Sequence, residues 1–359
     1  MKTVYEYLTD PSEERAKELL ARAGKILASG GLVVFPTETV YGLGANATDA
    51  TAASRIYAAK GRPSDNPLIV HIADPSEADR IAETSEIYYR LARYFMPGPL
   101  TVILPVRPTI PKTVTAGLDT VAVRCPSHPV ARALITAAGV PIAAPSANLS
   151  GSPSPTTGPH VRDDMEGRVD MIIDGGPCAY GLESTIVKVE KDGSLLLLRP
   201  GAVTKEDIEA ATGLSVSVAS AVLDRLAEGE KVLSPGMKYR HYAPKAPLVL
   251  LKGTEESRRK FLAEQKGRIA YFSYSEETAS LSSLPLDLYD IGEERDEATQ
   301  ANRLFRLLRE ADKQSYDCIY APVPDTQGMG MALYNRMIRA AAHRVTDLTV
   351  QEKGDRHNG

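Results

Sequence analysis

The chain has 359 residues, 43% of them hydrophobic, which is enough for roughly two domains with buried cores. Its 42 lysines and arginines against 46 acidic residues give a formal charge of −4. This balance argues against a dedicated nucleic-acid-binding protein, because such proteins bind phosphates through an excess of positive charge. No apolar run is long enough to span a membrane, the first residues lack a signal peptide's apolar core, and three scattered cysteines exclude a disulfide framework. We therefore expect a cytoplasmic protein without a structural metal.

Helices and strands are predicted to alternate along the first 212 residues. Apolar residues at helical spacing, capping residues and terminal glycines mark the helices, and short apolar runs mark buried strands. This alternation is typical of an α/β fold. The predicted helices cover residues 12–29 (capped by Ser12), 49–59, 76–94, 128–138 and 204–212, with another at 219–227, and the strands cover 32–35, 68–72, 100–104, 121–124, 141–144, 169–173, 185–189 and 195–198.

A proline-rich stretch at residues 234–247 has no apolar period and is the best candidate for a linker. Beyond it, a smaller α/β unit is predicted, with strands at 248–251, 269–272 and 318–321 and helices that include 297–312 and 332–343. We therefore predict a first domain over residues 1–215, a linker over 216–247, a second domain over 248–350 and a tail over 351–359.

One glycine-rich segment, Gly42-Leu43-Gly44-Ala45-Asn46-Ala47, matches the GxGxxA pattern of dinucleotide-binding folds. Residues 37–41 separate it from the preceding strand, where that fingerprint requires a tight turn, so we interpret it as a glycine turn. The chain has neither a GxxxxGK[ST] phosphate loop nor a GxSxG nucleophile motif. Covalent catalysis by a serine therefore has little support.

Two cations, Lys60 and Arg62, flank a glycine. Pro63 disfavours a helix at Arg62 and Gly61 weakens it further, so both cations are predicted on extended chain, where residues two apart point to one face. Such a pair suits a polyphosphate or carboxylate ligand. A solvated pair of loop charges is the alternative.

Other polar residues stand where predicted strands end. Ser146 and Asn148 have the same spacing and follow the strand at 141–144, a position where α/β sheets bind ligands, although a plain turn would have the same composition. Arg199 follows four leucines, so its charge emerges at the end of a buried strand or simply stops it at the surface. His71 lies inside an apolar strand, where an isolated histidine is more often a core residue than a ligand.

Taken together, these segments resemble one family, the YrdC-like threonylcarbamoyl-AMP synthases, over nearly the whole chain and in the expected order. The linker and the appended unit resemble its two-domain branch. The resemblance implies an α/β fold with a twisted, open, mixed sheet and flanking helices, plus a smaller Rossmann-like α/β C-terminal domain. The segments that carry it are Phe35-Pro36-Thr37-Glu38-Thr39-Val40-Tyr41-Gly42-Leu43-Gly44, Lys60 with Arg62, Asn66-Pro67-Leu68, Pro97-Gly98-Pro99-Leu100-Thr101, Ala122-Val123-Arg124, Pro145-Ser146-Ala147-Asn148, Ser184-Thr185 and residues 234–244.

By this resemblance, the chain makes threonylcarbamoyl-adenylate and pyrophosphate from L-threonine, bicarbonate and ATP. The product would feed threonylcarbamoylation of the adenosine next to the anticodon of tRNA, which a separate transferase complex completes. Magnesium bound by the triphosphate is implied, with no protein-held metal site. Direct binding of tRNA is left open.

The resemblance also implies residue roles. The threonine site is expected to comprise Thr37, His71, Arg124 and Ser184, where the Arg124 guanidinium can pair with the substrate carboxylate through two hydrogen bonds. The linker would act as a lid through Tyr239, or that tyrosine would merely anchor the two domains. The residues expected to bind ATP are Lys60, Arg62, Ser64, Thr120, Ser146, Asn148, Ser154, Arg199 and Tyr239.

Two other functions compete with this interpretation. A YrdC-like domain also forms carbamoyl-adenylate in hydrogenase maturation, but there the chain carries an acylphosphatase-like region and paired CxxC motifs, which are absent here. A non-catalytic RNA-binding module would use a basic concavity without chemistry. The acidic balance, the absence of tryptophan and the presence of only five phenylalanines leave little surface for stacking RNA bases.

Overall fold

The structure is a computed structural model that describes residues 2–223 and 242–349. The chain divides into two compact units. The described residues of the first unit are 2–150 and 154–223, and those of the second are 151–153 and 242–349. Among these residues, no helix is both long enough and apolar enough to cross a membrane.

The first unit contains a mixed sheet of eleven strands in the order β1-β8-β2-β3-β7-β4-β6-β5-β9-β10-β11. Parallel and antiparallel neighbours alternate irregularly, and β4 and β6, near the centre, run parallel to each other. The strands are β1 (Val4–Tyr7), β2 (Val33–Phe35), β3 (Gly42–Asn46), β4 (Ile69–His71), β5 (Leu100–Pro105), β6 (Thr120–Arg124), β7 (Ile142–Ala143), β8 (Met171–Asp174), β9 (Thr185–Val189), β10 (Leu195–Arg199) and β11 (Val216–Val218).

Seven α-helices accompany this sheet within the described part of the first unit. Two of them bury apolar faces in one core with β2, β7 and β8, where Leu19, Leu27 and Leu134 are among the buried residues. The helices are α1 (Glu14–Ala28), α2 (Ala50–Lys60), α3 (Glu86–Phe95), α4 (Lys112–Thr115), α5 (Pro129–Ala138), α6 (Gly158–Met165) and α7 (Lys205–Thr212).

One face of the central strands is apolar in its middle. Ile69, Ile103, Ala122 and Ile186 form a buried cluster there, one residue from each of β4, β5, β6 and β9. Because side chains in a strand alternate between faces, residues two positions away from these four point to the same face. The candidate site described below lies on this face, among residues two positions away from the apolar cluster.

The second unit is built on five parallel strands in the order β14-β13-β15-β12-β16. A parallel sheet with interleaved helices agrees with the Rossmann-like expectation. Its strands are β12 (Leu248–Lys252), β13 (Ile269–Tyr274), β14 (Asp287–Gly292), β15 (Cys318–Pro322) and β16 (Val345–Asp347), and its helices are α8 (Glu255–Ala263), α9 (Thr278–Leu281), α10 (Glu297–Ala311) and α11 (Gly328–Ala340).

The structure corrects a predicted helix and a predicted turn. The single helix predicted over residues 76–94 is a 3-10 helix (Pro75–Arg80) followed by α3, because the Ser85 side chain accepts a hydrogen bond from the Tyr88 amide and starts a new helix. The glycine turn predicted at residues 42–47 is instead strand β3. Its glycines allow close packing, since a Cβ on Gly44 would lie 2.9 Å from side-chain atoms of Phe35 and Ile142.

The helix predicted over 219–227 begins as a 3-10 turn (Ser220–Val222), and its remaining residues, 224–227, lie in the stretch 224–241 outside the described part of the chain. Strand β11 pairs with β10, so the first sheet continues into the first residues of the predicted linker. Ser12 does not cap α1, whose first helical residue is Glu14. Strands β1, β14 and β16 and helix α6 were not predicted, because none carries a strong apolar period.

Candidate active site

The first group of site residues lies at one end of the apolar face of the central strands. His71 of β4 is paired with Arg124 of β6 in the parallel register, and Thr101 of β5 is paired with Arg124 on its other side. His71, Thr101 and Arg124 each stand two residues from a member of the apolar cluster, and Ser184 stands two residues before Ile186, so all four point to the face of that cluster. We call Glu38, His71, Thr101, Arg124, Ser184 and Arg199 the arginine cluster.

A buried ion pair lies within the arginine cluster. Arg124 Nη2 donates to Glu38 Oε1 at 2.7 Å, and the two side chains are only 5% and 7% exposed. Glu38 belongs to the loop between β2 and β3, whose backbone is fixed in part by the Tyr180 amide donating to the Glu38 carbonyl at 2.9 Å. Removing either partner would leave the other as an uncompensated buried charge, which is strongly destabilising.

His71 is buried beside Arg124. Burial and the neighbouring guanidinium lower the pKa of His71 to about 3, so the imidazole is neutral at pH 7. Its Nδ1 lies 3.2 Å from the carbonyl oxygen of Ile69. The backbone of Ile142 also hydrogen-bonds to the ring, so His71 is a neutral polar group held by the backbone of β4 and β7.

Hydroxyl groups connect Arg124's neighbours to Arg199. The hydroxyl oxygens of Thr101 and Ser184 are 2.8 Å apart, and Arg199 Nη2 donates to Ser184 Oγ at 3.0 Å while its Nε donates to the Ser184 carbonyl at 2.9 Å. Arg199 stands at the end of β10, as its position after four leucines predicted. The structure therefore joins Ser184, expected to bind threonine, to Arg199, expected to bind the nucleotide.

Thr37, the remaining expected threonine residue, is buried in the loop before Glu38. Its hydroxyl donates to the Val40 carbonyl at 2.6 Å and lies 2.9 Å from the Thr39 hydroxyl. These bonds close a local turn of the kind that serine and threonine hydroxyls favour. In the structure Thr37 thus shapes the loop that presents Glu38.

A second polar group lies at the opposite end of the central strands. Because β7 runs antiparallel to β4, the residues that follow β7 lie away from His71. Lys60 Nζ donates to the carbonyls of Ser146 and Asn148, both at 2.5 Å, and Ser146 Oγ donates to Asn148 Oδ1 at 2.5 Å. We call Lys60, Ser146 and Asn148 the lysine cluster.

The prediction that Lys60 and Arg62 lie together on extended chain is wrong for Lys60. Lys60 is the last residue of α2, and Gly61 ends the helix in the left-handed region with φ of 62°. Such a terminal glycine lets the helix continue up to the residue before it. Lys60 is buried, whereas Arg62 is half-buried and donates to the carbonyls of Asn66 and Pro67.

The other expected nucleotide residues are scattered. Thr120 begins β6 on the same face as Arg124, about 13 Å along the strand from it. It lines an open groove of about 520 Å³. Ser64 is exposed, Ser154 is buried and donates to Glu183 Oε1, and Tyr239 lies outside the described residues.

The sequence interpretation missed four polar residues of the site region. Glu38, Asn66 and Thr101 stand in the motifs that carry the resemblance, but neither they nor Glu183 were predicted to be site residues. All four are buried polar side chains, and Asn66 Oδ1 has no hydrogen-bond partner among the described residues. One feature of the sequence could have indicated such residues, namely a polar residue inside or beside a strong apolar run, as at Thr101.

Two family models match consecutive parts of the chain. Residues 25–201 match the Sua5_yciO_yrdC family, described as "Telomere recombination". Residues 203–342 match the family described as "Threonylcarbamoyl-AMP synthase, C-terminal domain". Together they span both units of the structure.

Curated relatives are similar over most of the chain. The threonylcarbamoyl-AMP synthase of Bacillus subtilis is 47% identical over 331 residues, covering 91% of this chain and 94% of that protein. The threonylcarbamoyl-AMP synthase of Pyrococcus abyssi is 42% identical over 340 residues, covering 92% and 97%.

Solved structures agree with these relatives. A variant of Pyrococcus abyssi Sua5 superposes with a TM-score of 0.87 at 38% identity, covering 96% of this chain and 98% of that one. The same protein complexed with L-threonine superposes with a TM-score of 0.85 at 39% identity, covering 96% and 99%. With both units matched in sequence and in fold, the chain belongs to the family of two-domain threonylcarbamoyl-AMP synthases.

Proposed function

We propose that the two polar clusters divide the substrates of threonylcarbamoyl-AMP synthesis between them. The reaction joins L-threonine, bicarbonate and ATP into threonylcarbamoyl-AMP with release of pyrophosphate, for the threonylcarbamoyladenosine modification of tRNA next to the anticodon. The arginine cluster takes threonine, and the lysine cluster takes the triphosphate. One observation supports this division. Arg124 lies at one end of the central strands, and Lys60 lies beyond the opposite end of the same strands.

Arg124 suits the threonine carboxylate because its guanidinium is buried and one of its nitrogens, Nε, has no hydrogen-bond partner among the described residues. A carboxylate can meet a guanidinium through two parallel hydrogen bonds. Neutral His71 and the Ser184 hydroxyl would contact the uncharged parts of threonine. Thr37, whose hydroxyl holds the adjacent loop, completes the proposed threonine site.

Lys60 suits the phosphates because it is a buried cation held by backbone carbonyls, and Arg62, Ser146 and Asn148 accompany it. The further proposed nucleotide residues are Thr120 and Ser64 on that side, Ser154, which is bonded to Glu183, and Arg199, the member of the arginine cluster that would face the nucleotide. Tyr239 remains a proposal as the residue that covers ATP. Arg199, proposed to bind the nucleotide, contacts Ser184, proposed to bind threonine. This contact supports the proposal that the α-phosphate and the carbamate meet beside these two residues.

The proposed chemistry needs no nucleophilic side chain. The threonine amine and bicarbonate form a carbamate with loss of water, and a carbamate oxygen then attacks the α-phosphate and expels pyrophosphate. Positioning two anions and neutralising the charge of the pentavalent transition state is work for cations and hydrogen-bond donors. Carbamates decompose in water, so closure over the intermediate would raise the yield.

Magnesium is proposed to arrive with ATP. Among the described residues no group of three or more histidine, cysteine or carboxylate side chains could hold a metal ion. The carboxylates of Glu38 and Glu183 are bonded to Arg124 and Ser154, and that of Asp164 accepts from the Leu149 amide beside the lysine cluster. These residues do not fit a protein-held magnesium site, so phosphate oxygens and water would be its ligands.

We also propose that the chain works in the cytoplasm and hands its product to a separate threonylcarbamoyl transferase complex. The charge balance of −4 supports delivery of a small molecule better than tight binding of tRNA by this chain. The match of residues 203–342 to a threonylcarbamoyl-AMP synthase domain leaves no role for the hydrogenase-maturation alternative.

The deciding experiment measures pyrophosphate release from ATP by the full chain, with threonine and bicarbonate omitted in turn and with L-serine replacing threonine. We expect release to require both co-substrates and to fall sharply with serine. Release that persists without threonine would contradict the proposed use of the arginine cluster. No release from folded protein would bring the RNA-binding alternative forward, which a filter-binding assay with tRNA would then examine.

A further inference from the structure

The ion pair between Glu38 and Arg124 has one unused atom on each side. Glu38 Oε2 accepts no hydrogen bond and Arg124 Nε donates none among the described residues, although both atoms are inaccessible to solvent. Counted as whole residues rather than as side chains alone, Glu38 is 6% exposed and Arg124 is 4% exposed. A buried acceptor and a buried donor left without partners are each costly, and native proteins seldom leave both on one pair without a function.

The unused atoms have opposite requirements. Arg124 Nε offers a hydrogen to an anion, whereas Glu38 Oε2 offers a lone pair to a cation. The remaining bond, Arg124 Nη2 to Glu38 Oε1, keeps the two groups side by side at 2.7 Å. A ligand that carries a carboxylate and an ammonium on the same carbon therefore matches the pair, and an amino acid is such a ligand.

The charges around Glu38 agree with a zwitterionic ligand. Glu38 is hydrogen-bonded to Arg124, and its charge also influences three other titratable groups, which are His128, Cys178 and Cys125. Burial lowers the pKa of His128 and raises the pKa of both thiols, so these three are neutral at pH 7. The Glu38–Arg124 pair is thus balanced by itself, and a ligand of net charge zero leaves the balance of that pair unchanged.

From this arrangement we propose that Glu38 is a substrate-binding residue, which accepts a hydrogen bond from the α-ammonium of threonine through Oε2 while it holds Arg124 through Oε1. The inference rests on the proposed assignment of threonine to the arginine cluster. It extends that assignment, because it gives the site a means of selecting amino acids over hydroxy acids. The bonds at Thr37 and the Tyr180 amide fix the loop on both sides of Glu38 and so aim its carboxylate.

The test measures binding of three ligands to the full chain by calorimetry, without bicarbonate. L-Threonine carries both charged groups, (R)-3-hydroxybutyrate lacks the amine, and L-threoninamide lacks the carboxylate. We expect Glu38→Gln to weaken L-threonine about tenfold to a hundredfold, the usual cost of losing a hydrogen bond to a charged group. Binding of L-threoninamide should weaken equally. Binding of (R)-3-hydroxybutyrate should not weaken, because the variant removes a negative charge from beside Arg124.

A purely structural role predicts a different pattern. If Glu38 only holds Arg124 in place, Glu38→Gln weakens L-threonine and (R)-3-hydroxybutyrate equally and spares L-threoninamide, and the proposal is overturned. It is also overturned if no ligand is affected, or if the unaltered protein binds (R)-3-hydroxybutyrate as tightly as L-threonine. The last comparison requires no variant, so it holds even if Glu38→Gln does not fold.

Three further variants separate the possible failures. Glu38→Asp keeps the charge and should retain part of the preference for the amine that Glu38→Gln loses. Glu83→Gln makes the same substitution at an exposed glutamate and should change nothing. Arg124→Lys should weaken L-threonine and (R)-3-hydroxybutyrate but spare L-threoninamide. If Arg124→Lys changes nothing, the assignment of the carboxylate to Arg124 fails, while the result for Glu38 is judged separately.

Discussion

The lysine cluster and the arginine cluster hold their cations in different ways. Lys60 is bonded to two backbone carbonyls of one turn, so its position follows from how residues 146–148 fold. Arg124 is bonded to a carboxylate from a loop 86 residues earlier in the chain. The first cation is fixed by backbone, whereas the second is fixed by another charge.

This difference bears on what each cluster can recognise. Carbonyl oxygens orient an ammonium but carry only partial charge, whereas a carboxylate carries a full charge. The Arg124–Glu38 pair is neutral as a whole and presents one donor and one acceptor instead. We therefore expect the lysine cluster to respond to total charge and the arginine cluster to respond to the arrangement of charge.

The largest effect is expected from removing the cation that is fixed by backbone. Lys60→Met leaves two buried carbonyls without a donor, and we expect unfolding in urea to show a loss of about 3 kcal/mol. Pyrophosphate release should fall by about a hundredfold or more, as when one electrostatic group is removed from a transition state.

The matched control is Lys17→Met, on the exposed side of α1. It should alter the free energy of unfolding by less than about 0.5 kcal/mol and leave the rate unchanged. If the rate of pyrophosphate release by Lys60→Met fell no more than that by Lys17→Met, the proposed role of the lysine cluster in binding the triphosphate would be contradicted.

An intermediate effect is expected from acid, through His71. Its pKa is about 3 in the folded protein because of burial and Arg124, against about 6.5 unfolded, so the unfolded chain binds the extra proton first. The stability from keeping His71 neutral is complete above pH 6.5 and is lost as the pH falls towards 3, by about 1.4 kcal/mol per pH unit. Lowering the pH from 7 to 5 should therefore remove about 2 kcal/mol of the free energy of unfolding through this residue.

The measurement is a series of urea titrations between pH 7 and pH 5 on the unaltered chain and on His71→Asn. The variant is expected to be less stable at pH 7 but to lose less on acidification, so the two curves of stability against pH should converge. Parallel curves would mean that another group accounts for the acid sensitivity.

The smallest effect is expected at the far end of the helix that carries Lys60. Asp49 caps α2, since its Oδ1 accepts from the amides of Thr51 and Ala52. Asp49→Ala should cost about 1 kcal/mol of stability, the usual loss for an N-cap, without changing the KM for ATP. A raised KM would show that Lys60 depends on its helix as well as on the 146–148 turn, and Asp49→Asn should restore the cap.

Local features of the fold were predictable where one signal dominated. The β-branched run of β9 matched its predicted bounds at both ends, Thr185 and Val189. The glycines of β3 misled the prediction, because their lack of side chains serves close packing against Phe35, which only the tertiary structure reveals. Propensity reports on a residue's own backbone and not on what will pack against it.

The candidate site was predictable residue by residue only through the family resemblance. Composition and spacing indicated Lys60 with Arg62 and Ser146 with Asn148 as pairs. The second pair is hydrogen-bonded in the structure, whereas Lys60 is bonded to the 146–148 turn and not placed beside Arg62 on extended chain. The partnership of Glu38 with Arg124 left no local trace. It depends on strand order and on the loop after β2, which are properties of the whole sheet.

The alternation of side chains along the central strands has a consequence for insertions and deletions. Ala122 faces the apolar cluster and Arg124 faces the site only because they stand two residues apart on β6. One residue inserted between them would turn the guanidinium to the opposite face, away from Glu38. The spacing within these strands is thus as strictly required as the residues themselves, and length variation is to be expected in the loops.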